Sequence, residues 1–303
     1  MSLGGADYQL RSGDYTACIA QVGGGLRQLR HRDRDLVLSY GADEVRPWYR
    51  GSLIAPWPNR VVDGRYSFDG TTYQLAISEP ERNHALHGLV SWSRFDLLEH
   101  TSSSVVLGHR IVPQTGYPFQ VELVARYFLD DSGLTCSVSA QNNGAERAPF
   151  GLASHPYLVT GAGVLDEWTL DLPAGQVLQV SADRLVPQEL APVENGDFDF
   201  RGGRMLEATE VDHAFTALTP DSEGRARVRL LASAGLGVEC DWDAVALPWV
   251  QVHTADLPDR ATSRLGLAVE PMTCPPDAFN SGTDLVVLAP GDRTEADWSI
   301  RAV

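Results

Sequence analysis

The chain contains no lysine; all 24 of its basic residues are arginine. Schiff-base chemistry and a Walker-type phosphate loop both need a lysine amine, so both are excluded. Cysteine is scarce as well. The four present (Cys18, Cys136, Cys240 and Cys274) form no Cys-x-x-Cys pair. Neither a disulfide framework nor a cysteine zinc site is expected, and a reducing cytoplasm is the expected compartment. Positive charge is in deficit, with 40 acidic residues and a formal net charge of −16. Such a surface repels polyanions, which argues against nucleic-acid and membrane partners and favours a neutral over a phosphorylated ligand. No run approaches 18 apolar residues, and no basic–apolar–small pattern marks a secretory leader at the N-terminus.

What remains is an ordinary globular composition, 43% hydrophobic in 303 residues, which one large β-domain can absorb. Residues 1–303 are therefore read as a single domain. No helical stripe exceeds about three turns. Short apolar–polar alternations recur instead between turn signals, at 16–22, 26–29, 36–40, 65–68, 71–75, 104–112, 120–129 and 134–141. They continue at 168–172, 227–231, 237–242, 249–254, 285–288 and 296–300. Asp69-Gly70 is the strongest short-range hairpin signal among them. The pattern predicts an all-β fold, a large antiparallel β-sandwich. The polar segment 187–203 is expected to be a long loop.

Five stretches set reactive side chains beside turn-forming or aromatic residues. In 265–282 (LGLAVEPMTCPPDAFNSG) an apolar run delivers Glu270 and meets Pro271, which predicts a strand ending at the carboxylate. A poorly solvated carboxylate there would have a raised pKa and could act as a base near neutral pH. In PWPNRVVDG, Arg60 enters a strand from a proline-stiffened loop and can present its donor fork to hydroxyls. In NHALHG, His84 and His87 are three apart, but Gly88 follows at once and no third ligand has recognisable spacing, so no metal site is expected. A structural role suits His84; His87 suits either a structural role or hydrogen bonding to a ligand. In GLASHPYLV, His155 is held extended before Pro156, with Tyr157 beyond it. In VDHAF, Asp212 could accept two sugar hydroxyls or cap a turn. Trp57 and Trp92 are candidate stacking platforms or core residues.

These stretches, in this order across about residues 50–290, resemble the aldose 1-epimerase (mutarotase) family. The resemblance rests on Asn59-Arg60 before a Gly64–Tyr73 hairpin, Leu86-His87-Gly88, His155 before Tyr157, Asp212-His213, and Glu270 ahead of Pro276-Asp277-Ala278. It implies a galactose mutarotase-like supersandwich with a sugar cleft on one sheet. It further implies Glu270 as general base and His155 as general acid, with Arg60, His87 and Asp212 holding the sugar and His87 near enough to share in proton transfer. No metal or cofactor is implied. The implied partner is a small aldose such as glucose or galactose, bound by a monomer or homodimer. Ser154, Leu89 and Pro271-Met272-Thr273 depart from the family's usual residues around the pocket and bear on sugar preference. A non-catalytic sugar binder on the same fold is the main alternative. A glycoside hydrolase using Asp212 as its second carboxylate is a further one.

Overall fold

The computed structural model describes residues 2–233 and 235–303. Among the described residues two large antiparallel sheets carry most of the strand residues. The first has nine strands in the spatial order Asp96–His100, Ser104–Ile111, Val121–Asp130, Gly133–Asn142, Arg293–Ala302, Gly237–Asp243, Arg225–Leu231, Thr169–Asp171 and Arg204–Met205. The second runs Pro187–Pro192, Ala174–Val180, Asp212–Leu218, Trp249–His253, Leu267–Met272, Ala153–Ser154 and Leu53–Ile54, with Tyr157–Leu158 also paired to Leu267–Met272. A four-stranded N-terminal sheet spans Asp7–Ser12 to Arg34–Asp35.

The period-2 reading explains how the first sheet buries its face. Val121, Leu123, Ala125, Tyr127 and Leu129 are buried and the residues between them are not, as a half-solvated antiparallel sheet requires. Its strands pair with neighbours in register from Ser104↔Phe128 to Ile111↔Val121. The 65–68/71–75 hairpin forms as read, with Asp69 and Gly70 both at positive φ, the geometry of the two-residue turn that matches strand twist.

Three local expectations are corrected. Residues 36–40 are not a strand: Leu36 and Val37 are buried, but pairing is limited to a single bridge from Val37 to Leu158. Segment 187–203 is not loop throughout. Pro187–Pro192 forms a strand at the end of the second sheet, an edge position where a missing N–H is tolerated.

The third correction matters for function. The strand carrying Glu270 does not end there but continues through Pro271 to Met272. Donors at alternate positions of this strand face the same neighbour: Val269 N–H reaches Pro156 O at 3.1 Å and Thr273 N–H reaches Leu152 O at 3.0 Å. Pro271 lies between them, opposite the gap between Ala153–Ser154 and Tyr157–Leu158. A residue that cannot donate thus faces the break in the adjacent strand, and that break holds His155.

Candidate active site

The second sheet turns alternate residues to opposite sides. Val250, Val252, Val269 and Phe215 join the main core, while the intervening Asp212, Gln251, His253 and Glu270 face a cleft. Two small apolar clusters flank these polar groups, one around Ala214, Trp249 and Met272, the other around Tyr157, Ala255 and Ala268. The cleft encloses about 520 Å³.

His155 sits in the strand break. Its backbone is fixed from a third strand region, accepting from Gly51 N–H at 2.8 Å and donating to Ser52 O at 3.0 Å. Its ring stacks on Tyr157, with centroids 5.2 Å apart and planes 10° from parallel. Its Nε2 lies 3.3 Å from Glu270 Oε1. Both side chains are buried, and among the described residues Glu270 Oε2 and His155 Nδ1 have no side-chain or backbone partner. Burial raises the Glu270 carboxyl well above its usual range, and nearby Asp212 adds to the rise against the pull of Arg60. Burial, with a contribution from His253, lowers His155 to about 3. Burial therefore favours the neutral pair, carboxylic acid beside imidazole. His155 is displaced from the near-neutral range expected of it because water, which would stabilise imidazolium, is largely excluded.

His87 completes a trio. One ligand-type atom each from His87, His155 and Glu270 lies within 4.8 Å of the others, close enough in principle to meet around a small cation. His87 is also lowered, by burial and then by His155 and Arg60. A kinked backbone places it: Asn59 and His87 both have positive φ, and His87 N–H bonds to Asn59 O at 2.8 Å. Gly88 follows at φ +68°, where an added Cβ would sit 2.1 Å from Ala55 O. Only glycine permits that approach. His84 points elsewhere and is structural, bonded to Arg184 O at 2.9 Å.

Arg60 is buried, although an arginine entering a strand usually faces solvent. Glu79 explains it by a bidentate bond along one edge of the guanidinium, Nε to Oε2 at 2.8 Å and Nη2 to Oε1 at 3.0 Å, while Nη1 bonds Asn59 Oδ1 at 3.2 Å. Five N–H groups less these three bonds leave two donors unused by Glu79 and Asn59. Asp212 lies 3.8 Å from Arg60 Nη2 and accepts Gln251 Nε2 at 2.6 Å. Burial alone would raise its carboxyl, but His253, Arg60 and the Gln251 bond outweigh that and lower it. Asp212 is accordingly an ionised acceptor. All five residues singled out in the sequence line one cleft.

Sequence reasoning missed Glu79, Tyr49, Trp48, Gln251 and His253. Glu79 lies in the polar run ISEPERN and looks like an exposed turn residue. Gln251 and His253 were legible in principle, because they alternate with Val250 and Val252. Trp48 and Tyr49 occupy successive left-handed positions (φ 48° and 57°), a conformation costing about 1–2 kcal/mol per bulky residue. Tyr49 packs on His87 with ring centroids 4.6 Å apart. Of the two tryptophans named as platforms, Trp57 belongs to the core and Trp92 is 54% exposed.

The fold is an antiparallel β-supersandwich of the galactose mutarotase type, and its cleft holds a buried carboxyl–imidazole pair beside a guanidinium and a second carboxylate. The aldose 1-epimerase family model matches residues 6–301, and the chain belongs to that family. It is 36% identical over 292 residues to the uncharacterized protein YihR of Escherichia coli (strain K12), covering 96% of this chain and 91% of that one. It is 29% identical over 233 residues to the galactose mutarotase of Rattus norvegicus, covering 69% and 66% respectively. Among solved structures, an aldose epimerase homologue from C. elegans superposes with a TM-score of 0.87 at 20% identity, covering 98% of each chain. The galactose 1-epimerase of Lactobacillus acidophilus NCFM gives 0.80 at 18% identity, covering 96% of this chain and 92% of that one.

Proposed function

We propose that this chain is an aldose 1-epimerase that interconverts the α and β anomers of a neutral, non-phosphorylated aldose, acting as one unit over residues 1–303 in the cytoplasm. The observation that carries the reading is the 3.3 Å approach of His155 Nε2 to Glu270 Oε1 inside a cleft lined by Arg60, His87 and Asp212. Family membership supports it.

Anomerisation needs one proton taken from the C1 hydroxyl and one given to the ring oxygen. The pair holds a single proton in either of two placements, carboxylate–imidazolium or carboxylic acid–imidazole. With the sugar bound, Glu270 as carboxylate takes the C1 hydroxyl proton and His155 as imidazolium protonates the ring oxygen. The C1–O5 bond breaks and an open aldehyde forms. The pair is then carboxylic acid and imidazole, the placement that burial favours, so the low dielectric assists transfer towards the sugar. Rotation about C1–C2 and reclosure with the roles reversed returns the proton. The two positioned groups contribute on the order of 10²–10⁴-fold each. Arg60 offers its two spare donors to sugar oxygens, and Asp212 accepts from hydroxyls. Because the proton is shared, the flanks of a bell-shaped pH profile belong to the pair and not to either residue.

Polarimetry on fresh α-D-glucose and α-D-galactose tests the proposal. Catalysed decay to equilibrium is expected, and a His155→Asn variant is expected to lose most of kcat with little change in KM. Tight sugar binding with no catalysed decay would instead support the sugar-binding alternative. Release of reducing sugar from a glycoside would support a hydrolase.

A further inference from the structure

Trp48 is 52% exposed and lines the cleft, on the side where Tyr49 packs against His87 and His155. Its backbone is left-handed, as is that of Tyr49, and the turn is closed by Arg50 N–H to Pro47 O at 2.9 Å. Tyr49 meets the histidines and Trp48 stands at the mouth. Behind them, Trp92 lies 5.8 Å from Tyr49 and under the Arg46 guanidinium, which is 4.6 Å from the indole centroid. Arg46 is itself held by the carbonyls of Val22 and Ser91. Strain of this kind persists where the surroundings impose it, and it concentrates at ligand clamps. An indole so presented is a flat apolar surface beside a polar site, suited to the C–H face of a pyranose.

The volume is the second observation. A single hexopyranose fills roughly 200 Å³ at protein packing density, less than half of the cleft's 520 Å³. Ring opening requires a free hydroxyl at C1, so anything filling the remainder is linked through another carbon of the same sugar. Five carboxylates (Glu79, Glu81, Asp212, Asp256 and Glu270) and two guanidinia (Arg60 and Arg82) line the cleft, a balance that favours a neutral, hydroxyl-rich group over an anion.

We infer that Trp48, held at the cleft by its left-handed backbone, is a stacking platform for the second ring of a neutral reducing disaccharide whose reducing end reacts at Glu270 and His155. This rests on the epimerase reading. The test compares kcat/KM for glucose and galactose with that for 4-linked (maltose, lactose) and 6-linked (isomaltose, melibiose) disaccharides, using polarimetry and anomeric-proton exchange by NMR. At least one disaccharide is expected to exceed its own monosaccharide by about fivefold, the scale of one good aromatic contact. Trp48→Ala is expected to bring that ratio to about one. Trp48→Gly, which suits the left-handed backbone, should do the same and guards against misfolding of the alanine variant. Disaccharides uniformly slower than their monosaccharides, or a ratio unmoved by either variant, would overturn the platform. If no sugar is anomerised, the epimerase reading fails by itself. The platform is then judged by ligand-detected NMR binding of the same sugars, where an unchanged disaccharide preference in Trp48→Gly would refute it.

Discussion

Replacing Glu270 by Gln keeps the side-chain volume and removes the titrating group, and its consequences for stability and catalysis point in opposite directions. In the folded chain the carboxyl is buried, Oε2 has no partner, and Oε1 has only His155 Nε2 at 3.3 Å. Its pKa is raised well above the ordinary carboxyl value of about 4.5, chiefly by burial. A carboxyl raised on folding keeps a proton that the unfolded chain releases. Its favourable contribution is complete below the unfolded value and is lost as pH rises through the folded one. Glutamine does not titrate, so the variant gains most at pH 8 and little below 4.5. Each unit by which folding raises the carboxyl costs about 1.4 kcal/mol of stability at high pH, and in a chain of this size each kcal/mol moves Tm by roughly 2 °C. Glu270→Gln should therefore raise Tm by about 2–6 °C at pH 8, with the difference closing towards pH 4, in calorimetry at both pH values. Polarimetry should show at least a 10²-fold loss of catalysed anomerisation. A variant less stable than wild type at pH 8 would refute the claim of an uncompensated buried carboxyl. One that turns sugar over at wild-type speed would refute its role as base.

Glu79→Ala strands the buried Arg60 guanidinium and should cost about 3–5 kcal/mol in urea unfolding, with the milder Glu79→Gln raising KM more than it lowers kcat; a loss under 1 kcal/mol would mean that Arg60 escapes to water. Gly88→Ala drives a methyl into Ala55 O and should displace His87, lowering kcat/KM about tenfold or more; unchanged kinetics would show that the His87 position is unimportant. On the acid side, His155 (lowered to about 3) and His87 (also lowered) take up protons in the unfolded chain first. The stability they contribute is present above pH 6.5 and lost as pH falls towards 3. Tm measured from pH 8 to pH 4 should therefore decline more steeply below 6.5 in wild type than in a His155→Gln variant, and parallel declines would remove the buried-histidine account.

Much of this architecture is written locally. Alternation along 121–130 already separates core from solvent, and Asp69-Gly70 already specifies a hairpin, because strand period and turn chemistry act over a few residues. The five polar stretches could also be found in the sequence, since proline, glycine and isolated charges interrupt the apolar pattern there. The strand end placed at Glu270 is instructive. Pro271 signals a break correctly, but the break lies in the neighbouring strand, and a single strand's sequence does not say what stands beside it.

The sequence by itself determined most of the strands and turns, and it brought forward the residues proposed here as base, acid and hydroxyl-binding companions. Only the tertiary structure decided that Glu79 clamps Arg60, that Trp48 and Tyr49 both take left-handed backbone, and that Glu270 and His155 meet at 3.3 Å in a buried position. The physical reason is range. Turns and alternation are set by neighbours in the chain, whereas desolvation and ion pairing depend on whatever the fold brings within a few ångströms, here across 115 positions between His155 and Glu270.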